Sequence, residues 1–253
     1  MVSFFIYMWS KPPQSLILKD NDVHIWMINI ENYREKIKKF RDILSLDELE
    51  KANRFSLDIL KESYQINRGY LRIILGNYLN IKPEEICFSY NQKGKPLLKG
   101  EIINKINFNL SHKNNYTVYA LSKNNIGIDL EQTNDKVAIE NIARRFFCQC
   151  EFNYLNNLPK REKPEYFFKL WTIKEAYLKA IGEGLSGGLD NICFTINKSS
   201  ENTAFISHNH DKKQDNNWYF KTLNLPNDYR IGIAINSIYQ PNFYYYDEFL
   251  YSL

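Results

Sequence analysis

Apolar and polar positions alternate from Ile126 to Glu131, the period of a strand with one buried face. Ile126, Ile128 and Leu130 fall on the core side, while Gly127, Asp129 and Glu131 share the other. The run Asn115 to Leu121 reads as the preceding strand, joined to this one by the short polar turn Ser122 to Asn125. Between Pro164 and Ile181 the period becomes helical: Phe167, Leu170, Trp171, Leu178 and Ile181 form an apolar stripe that starts at a proline and stops near Gly182 and Gly184. Lys174 interrupts that stripe, and Glu175 and Lys179 lie four apart on one face. An exposed ion pair at that spacing is worth only about 0.2–0.5 kcal/mol. The sharper reading is a metal carboxylate followed, one turn on, by a phosphate-binding ammonium.

The same local patterns occur twice, in the same order, roughly a hundred residues apart. Ser45-Leu46-Asp47-Glu48 is a capping box, and Cys148-Gln149-Cys150-Glu151 repeats its glutamate spacing behind a weaker cap. Gly69-Tyr70-Leu71-Arg72-Ile73-Ile74 answers to Ala176-Tyr177-Leu178-Lys179-Ala180-Ile181, and Ile86-Cys87-Phe88-Ser89 answers to Ile192-Cys193-Phe194-Thr195. The strands around Tyr116 to Leu121 and Tyr229 to Ile235 repeat in character. The expected fold is therefore α+β, with two similar halves, residues 1–125 and 126–253, packed as an intramolecular pseudodimer with the ligand cleft between them. In this register Arg68 stands opposite Glu175, so the first half lacks the carboxylate and cannot hold a second metal there.

Composition narrows the class. With 44% hydrophobic and 25% charged residues the chain can bury a core, which excludes disorder over most of its length. A net charge of +4 is too mild for a nucleic-acid binder and suits an anionic ligand or an acidic partner. No stretch approaches the roughly 18 apolar residues of a spanning helix, and the opening MVSFFIYMW lacks a basic leader, which reads as a cytoplasmic protein. Cys87, Cys148, Cys150 and Cys193 fit no paired zinc spacing and are expected to be reduced, structural thiols. His208 and His210 fall in a polar run that reads as a loop rather than a metal pair.

Two carboxylates on one strand face repel each other and are stable together only with a compensating cation or donor set. Mg²⁺, which takes oxygen ligands and completes its shell with water and phosphate, would compensate Asp129 and Glu131; an exposed, solvated edge face is the equal alternative on this strand alone. Asn91 to Pro96 is a basic turn, and Asn109 to His112 puts a hydroxyl and an imidazole at a strand end. A lone histidine there is more often structural than functional.

GKP at Gly94 to Pro96, FNLSH at Phe108 to His112, IGIDLE at Ile126 to Glu131, RRFF at Arg144 to Phe147 and WTIKEAYLKAIGEGL at Trp171 to Leu185 together resemble the Sfp-type 4′-phosphopantetheinyl transferases. The resemblance spans most of the chain, and the last motif with the GxDxE strand is specific in combination. It implies a two-half pseudodimer and transfer of the phosphopantetheine arm of coenzyme A to a serine of an apo acyl or peptidyl carrier protein, with release of adenosine 3′,5′-bisphosphate. The carrier would be an acidic, transient partner and the enzyme a monomer that binds neither nucleic acid nor membrane. Carried over by position, Asp129, Glu131 and Glu175 would hold Mg²⁺, and Lys179 would neutralise charge on the pyrophosphate. Lys51, Gly94, Lys95, Pro96, Ser111 and His112, with Lys179, would line the coenzyme A site. Glu151 or a metal-bound water would take the proton of the attacking serine. Glu48 stands where some members carry a basic residue, and Leu130 where some carry an acidic one; Leu130 should face the core. A different Mg²⁺-dependent phosphotransferase, or a carrier-binding module without catalysis, would be the alternatives.

Overall fold

The computed structural model describes residues 9–100, 105–134, 138–184, 188–194 and 217–247. His208, His210 and Thr195 lie outside the described residues. In chain order the elements are β1 (Trp9–Ser10), β2 (Asp22–Asn29), α1 (Ile37–Asp42), α2 (Leu46–Asn53), α3 (Asp58–Leu79), β3 (Phe88–Tyr90), β4 (Pro96–Leu98), β5 (Asn107–Lys113), β6 (Tyr116–Ser122), β7 (Ile126–Gln132), α4 (Ile139–Phe146), α5 (Gln149–Asn157), α6 (Lys163–Ile181), β8 (Trp218–Asn224), β9 (Tyr229–Asn236) and β10 (Asn242–Asp247). The fold is α+β. Among the described residues no helix is long and apolar enough to cross a membrane.

The duplication is visible in the sheets. The antiparallel order β2-β6-β5 recurs as β7-β9-β8: one strand, a set of helices, then a hairpin whose second strand pairs with the first. The two trios align at the rungs Asn29–Tyr116 and Gln132–Tyr229, and the two tyrosine rings meet edge-on at 5.1 Å. In that alignment Trp26 occupies the place of Asp129 and Ile28 that of Glu131.

Strand alternation sorts the side chains into three layers. Val23, Ile25, Val118 and Ala120 of one sheet pack with Ile126, Ile128, Leu130, Ile231 and Ile233 of the other, each almost or fully buried. Removing such side chains from water is worth about 1.5–3 kcal/mol apiece. The opposite faces take the long helices, α3 against Trp26, Ile28 and Tyr119, and α6 against Ala234. Leu130 faces the central core, as its alternation predicts.

Both capping boxes form, at Ser45 for α2 and at Cys148 for α5. The long helices end alike, in left-handed residues Asn80 (φ 54) and Gly182 (φ 77) whose N–H groups donate to Gly76 O and Leu178 O.

Three expectations change. First, Asn115–Leu121 and Ile126–Glu131 do not form a hairpin: β6 already has β2 and β5 on its two sides, so β7 pairs with β9 in the second sheet. Second, aligning α3 and α6 at their shared caps puts Arg72 opposite Lys174, Ile73 opposite Glu175 and Asn77 opposite Lys179, five residues away from the register in which Arg68 opposes Glu175. A tyrosine-leucine-basic string recurs easily on amphipathic helices; caps and partners fix the true register. The first half still offers no metal carboxylate, because isoleucine stands in its place. Third, β10 pairs in parallel with β2 and with β1, so the last strand among the described residues completes the sheet of the first half and a cut at 125/126 follows the repeat but not the sheets.

Candidate active site

The site forms where α6 crosses β7. Gly127 and Gly232 make that crossing close: a Cβ on Gly127 would stand 1.9 Å from Ala176 O, and one on Gly232 would stand 2.4 Å from the Thr172 carbonyl carbon. The space beside Gly127 is thus filled by the backbone of α6. Seated there, α6 brings Glu175 and Lys179 over the face that carries Asp129 and Glu131.

Lys179 Nζ donates to Asp129 Oδ1 at 2.6 Å, to Ser111 Oγ at 2.9 Å and to Ile128 O at 3.2 Å. Ser111 Oγ donates in turn to Asp129 Oδ1 at 3.0 Å. β5 lies beside β7 here, and Ile128 N donates to Asn109 Oδ1 at 2.9 Å. Glu131 meets Lys113 at 2.6 Å on the half-exposed rim. The Glu175–Lys179 spacing is therefore not spent on a surface pair; the ammonium goes to the strand.

Asp129 Oδ2 and Glu175 Oε1 are buried and, among the described residues, have no hydrogen-bond partner. Burial first, then Asp129 and, more weakly, Glu131 push the Glu175 pKa up to about 7 against the pull of Lys179. Unpartnered acidic oxygens in a partly desolvated place are the donor set a hard divalent cation fits.

The basic turn closes the site from the first half. Gly94 sits at φ 83, and Asn91 Oδ1 accepts from the N–H groups of Lys93 and Lys95. Asn91 Nδ2 donates to Gly182 O at 2.9 Å and Lys95 Nζ to Ala180 O at 2.7 Å, so this turn staples the halves at the C-terminal end of α6. Burial lowers the Lys95 pKa to about 8. His112 keeps an exposed edge, and its pKa is lowered by partial burial of the ring first and by Lys179 second, against Asp129. Lys51 is more remote: its ammonium lies over the rings of Tyr64 (5.7 Å) and Tyr90 (5.8 Å), next to the turn.

The chain matches the family model for the 4′-phosphopantetheinyl transferase superfamily over residues 125–234 and that for the 4′-phosphopantetheinyl transferase N-terminal region over residues 31–124. It is 38% identical to the 4′-phosphopantetheinyl transferase HetI of Nostoc sp. over 180 residues, 70% of this chain and 76% of the relative. The protein belongs to the 4′-phosphopantetheinyl transferase superfamily. Further relatives of the same name are psf-1 of Bacillus pumilus, 30% identical with 73% of this chain and 76% of the relative covered, and Sfp of Bacillus subtilis, 26% identical with 79% and 86% covered.

Within this phosphopantetheinyl transferase, Asp129, Glu131, Glu175, Lys179, Ser111, His112, Gly94, Lys95 and Pro96 come together around β7 and the end of α6. Glu151 does not join them. Its side chain has no exposed surface: Oε2 takes Lys174 Nζ at 2.8 Å and Cys148 N at 3.0 Å, and Oε1 takes Phe194 N at 2.7 Å. With both oxygens committed and no access for a hydroxyl, Glu151 is a structural anion and not the acceptor of the serine proton.

Its partner is Lys174, the cation that interrupts the apolar stripe of α6 and to which the sequence alone assigns no role. Lys174 Nζ holds Glu151 and donates to Leu189 O at 2.7 Å and to Ile192 O. Arg72 does the same in the first half, holding Glu48 at 2.7 Å and donating to Pro83 O at 2.9 Å and Ile86 O at 2.8 Å, while Arg68 also pairs with Glu48. A lone cation in an apolar helical stripe was the available signal. The same joint explains Glu48: it is 1% exposed inside this network, so it faces no nucleotide.

The cysteines also differ from expectation. Cys148 and Cys193 form a disulfide with Cα atoms 5.7 Å apart, because the start of α5 and the segment after α6 are drawn together by the Glu151–Lys174 joint.

Proposed function

We propose that this transferase moves the 4′-phosphopantetheine arm of coenzyme A to a serine of an apo acyl or peptidyl carrier protein, with Mg²⁺ held by Asp129, Glu131 and Glu175. The observation that carries the metal assignment is the pair of buried, unpartnered oxygens, Asp129 Oδ2 and Glu175 Oε1, beside a charged lysine. Bound Mg²⁺ would supply positive charge against the charge that builds on the leaving phosphate. Lys179 adds a second cation, held at its place by Ser111 Oγ and Asp129 Oδ1 before any substrate arrives. Ser111, His112 and the Gly94–Pro96 turn border the coenzyme A nucleotide, with Lys51 at the outer end. Residues 1–125 then serve mainly the nucleotide and residues 126–253 mainly the metal, in a cytoplasmic monomer that meets an acidic carrier transiently.

Incubating the protein with coenzyme A, Mg²⁺ and a panel of apo carrier proteins, followed by intact mass of the carrier, tests the reading. Addition of one phosphopantetheine group, lost on chelation and restored by Mg²⁺, is the expected result. Transfer that continues unchanged in chelator would remove the metal from the reading, and unmodified carriers throughout would remove the reaction.

A further inference from the structure

The feature that the transfer reaction leaves unused is a cluster of three sulfurs at the start of α5. Cys148 is bonded to Cys193, and the free thiol of Cys150 donates to Cys148 Sγ at 3.1 Å. The potential ligand atoms of all three lie within 4.8 Å of one another. Exposure is graded across the cluster: Cys148 is buried, Cys193 intermediate and Cys150 exposed. The other free thiol, Cys87, is exposed and takes no part in the cluster.

Thiol–disulfide exchange needs a thiolate in contact with one sulfur of a disulfide and a route for the released thiol to meet an outside reagent. Here the thiol of Cys150 is in contact with Cys148 Sγ and is itself exposed to an outside reagent. The geometry points to a site of intramolecular thiol–disulfide exchange, in which Cys150 is the exposed entry thiol for small thiol and disulfide reagents of the glutathione class. Cys150, as thiolate, attacks Cys148 Sγ; the Cys148–Cys150 bond forms, the Cys148–Cys193 bond breaks, and Cys193 leaves as a thiolate that takes up the proton Cys150 gave away. No electrons enter or leave the trio. An external thiol then reduces the exchanged pair at the exposed sulfur of Cys150, which is more open than either sulfur of the original bond, buried Cys148 or half-buried Cys193.

The exchange changes what ties the segment after α6 to α5. In one isomer the tie is covalent, spanning 45 residues of chain. In the other it rests on Lys174 to Leu189 O and Ile192 O and on Phe194 N to Glu151 Oε1. Those bonds involve none of the sulfur atoms, so the segment stays docked while its covalent tie is exchanged.

The test is a peptide map of the purified chain equilibrated in glutathione buffers, quenched in acid and alkylated. Trypsin places Cys148 and Cys150 in one peptide, Phe146 to Lys160, and Cys193 in another, Ala180 to Lys198. Both states are expected: a cross-linked pair of peptides with Cys150 alkylated, and an internally bonded Phe146–Lys160 peptide with Cys193 alkylated. Cys150→Ser should leave only the cross-link and slow its opening by dithiothreitol by about tenfold or more, whereas Cys87→Ser should change neither. Three results would overturn the assignment: a cross-link that never isomerises, equal opening rates in the Cys150→Ser variant, or stoichiometric zinc uptake by the reduced chain, which would make the trio a metal site instead.

Discussion

Glu175→Gln should make the metal-free protein more stable while abolishing its activity. In the folded chain the Glu175 pKa is pushed up from 4.5 to about 7, chiefly by burial and next by Asp129. A carboxyl whose folded value is raised binds more protons in the folded state than in the unfolded one between those two values, so its ionisation destabilises the fold as pH rises through that window. The displacement is worth about 3 kcal/mol once the group is ionised in both states, near pH 8, and only about 1.5 kcal/mol near pH 5.5. Glutamine is never charged and escapes the penalty. In urea unfolding with chelator present, the variant should exceed the parent by about 2–3 kcal/mol at pH 8, the gap narrowing toward zero below about pH 4.5. Added Mg²⁺ should narrow the gap from the other side by stabilising the parent alone. A variant whose advantage over the parent is no larger at pH 8 than at pH 5 would show that Glu175 carries no such penalty, and the argument for a cation at the unpartnered oxygens would go with it.

Lys179→Ala should lower kcat by about 10²-fold or more while raising the KM for coenzyme A much less, because the ammonium faces charge that builds during reaction; steady-state kinetics with a fixed carrier would show the split, and a pure KM effect would contradict it. His112→Ala should do the opposite, raising the KM for coenzyme A while leaving dephospho-coenzyme A nearly unaffected; equal sensitivity of the two substrates removes His112 from the 3′-phosphate. Lys174→Met should cost about 3–5 kcal/mol in urea unfolding, since it leaves the Glu151 carboxylate buried without its cation, and a loss below about 1 kcal/mol would mean that the joint is not the anchor described.

Much of this site could be read along the chain because its residues lie on elements with strong periods. Alternation alone put Gly127, Asp129 and Glu131 on one face and Leu130 in the core, and the stripe of α6 placed Glu175 and Lys179. What stayed hidden depends on pairing across long separations. Nothing local distinguishes β6 and β7 as strands of different sheets, since a three-residue link suits a hairpin as well as a passage between layers. Glu151 looked reactive because a capping-box glutamate and a catalytic one share a residue type; only its burial against Lys174 separates them. The Lys95 bond to Ala180 O and the Asn91 bond to Gly182 O likewise join positions more than eighty residues apart, where no spacing rule reaches.

Ile73 in the place of Glu175, and Trp26 in the place of Asp129, have a consequence for how such a site can change. In an assembly of two identical chains every substitution appears on both sides, so each cleft must use one residue for two duties and any improvement for one is imposed on the other. Fusion into a single chain lifts that constraint. Here the shared joint, Arg72 with Glu48 and Lys174 with Glu151, stays alike in both copies because each must still hold its own long helix. The positions facing the cleft are released from matching, and one copy has filled them with a tryptophan and an isoleucine that are buried in its core.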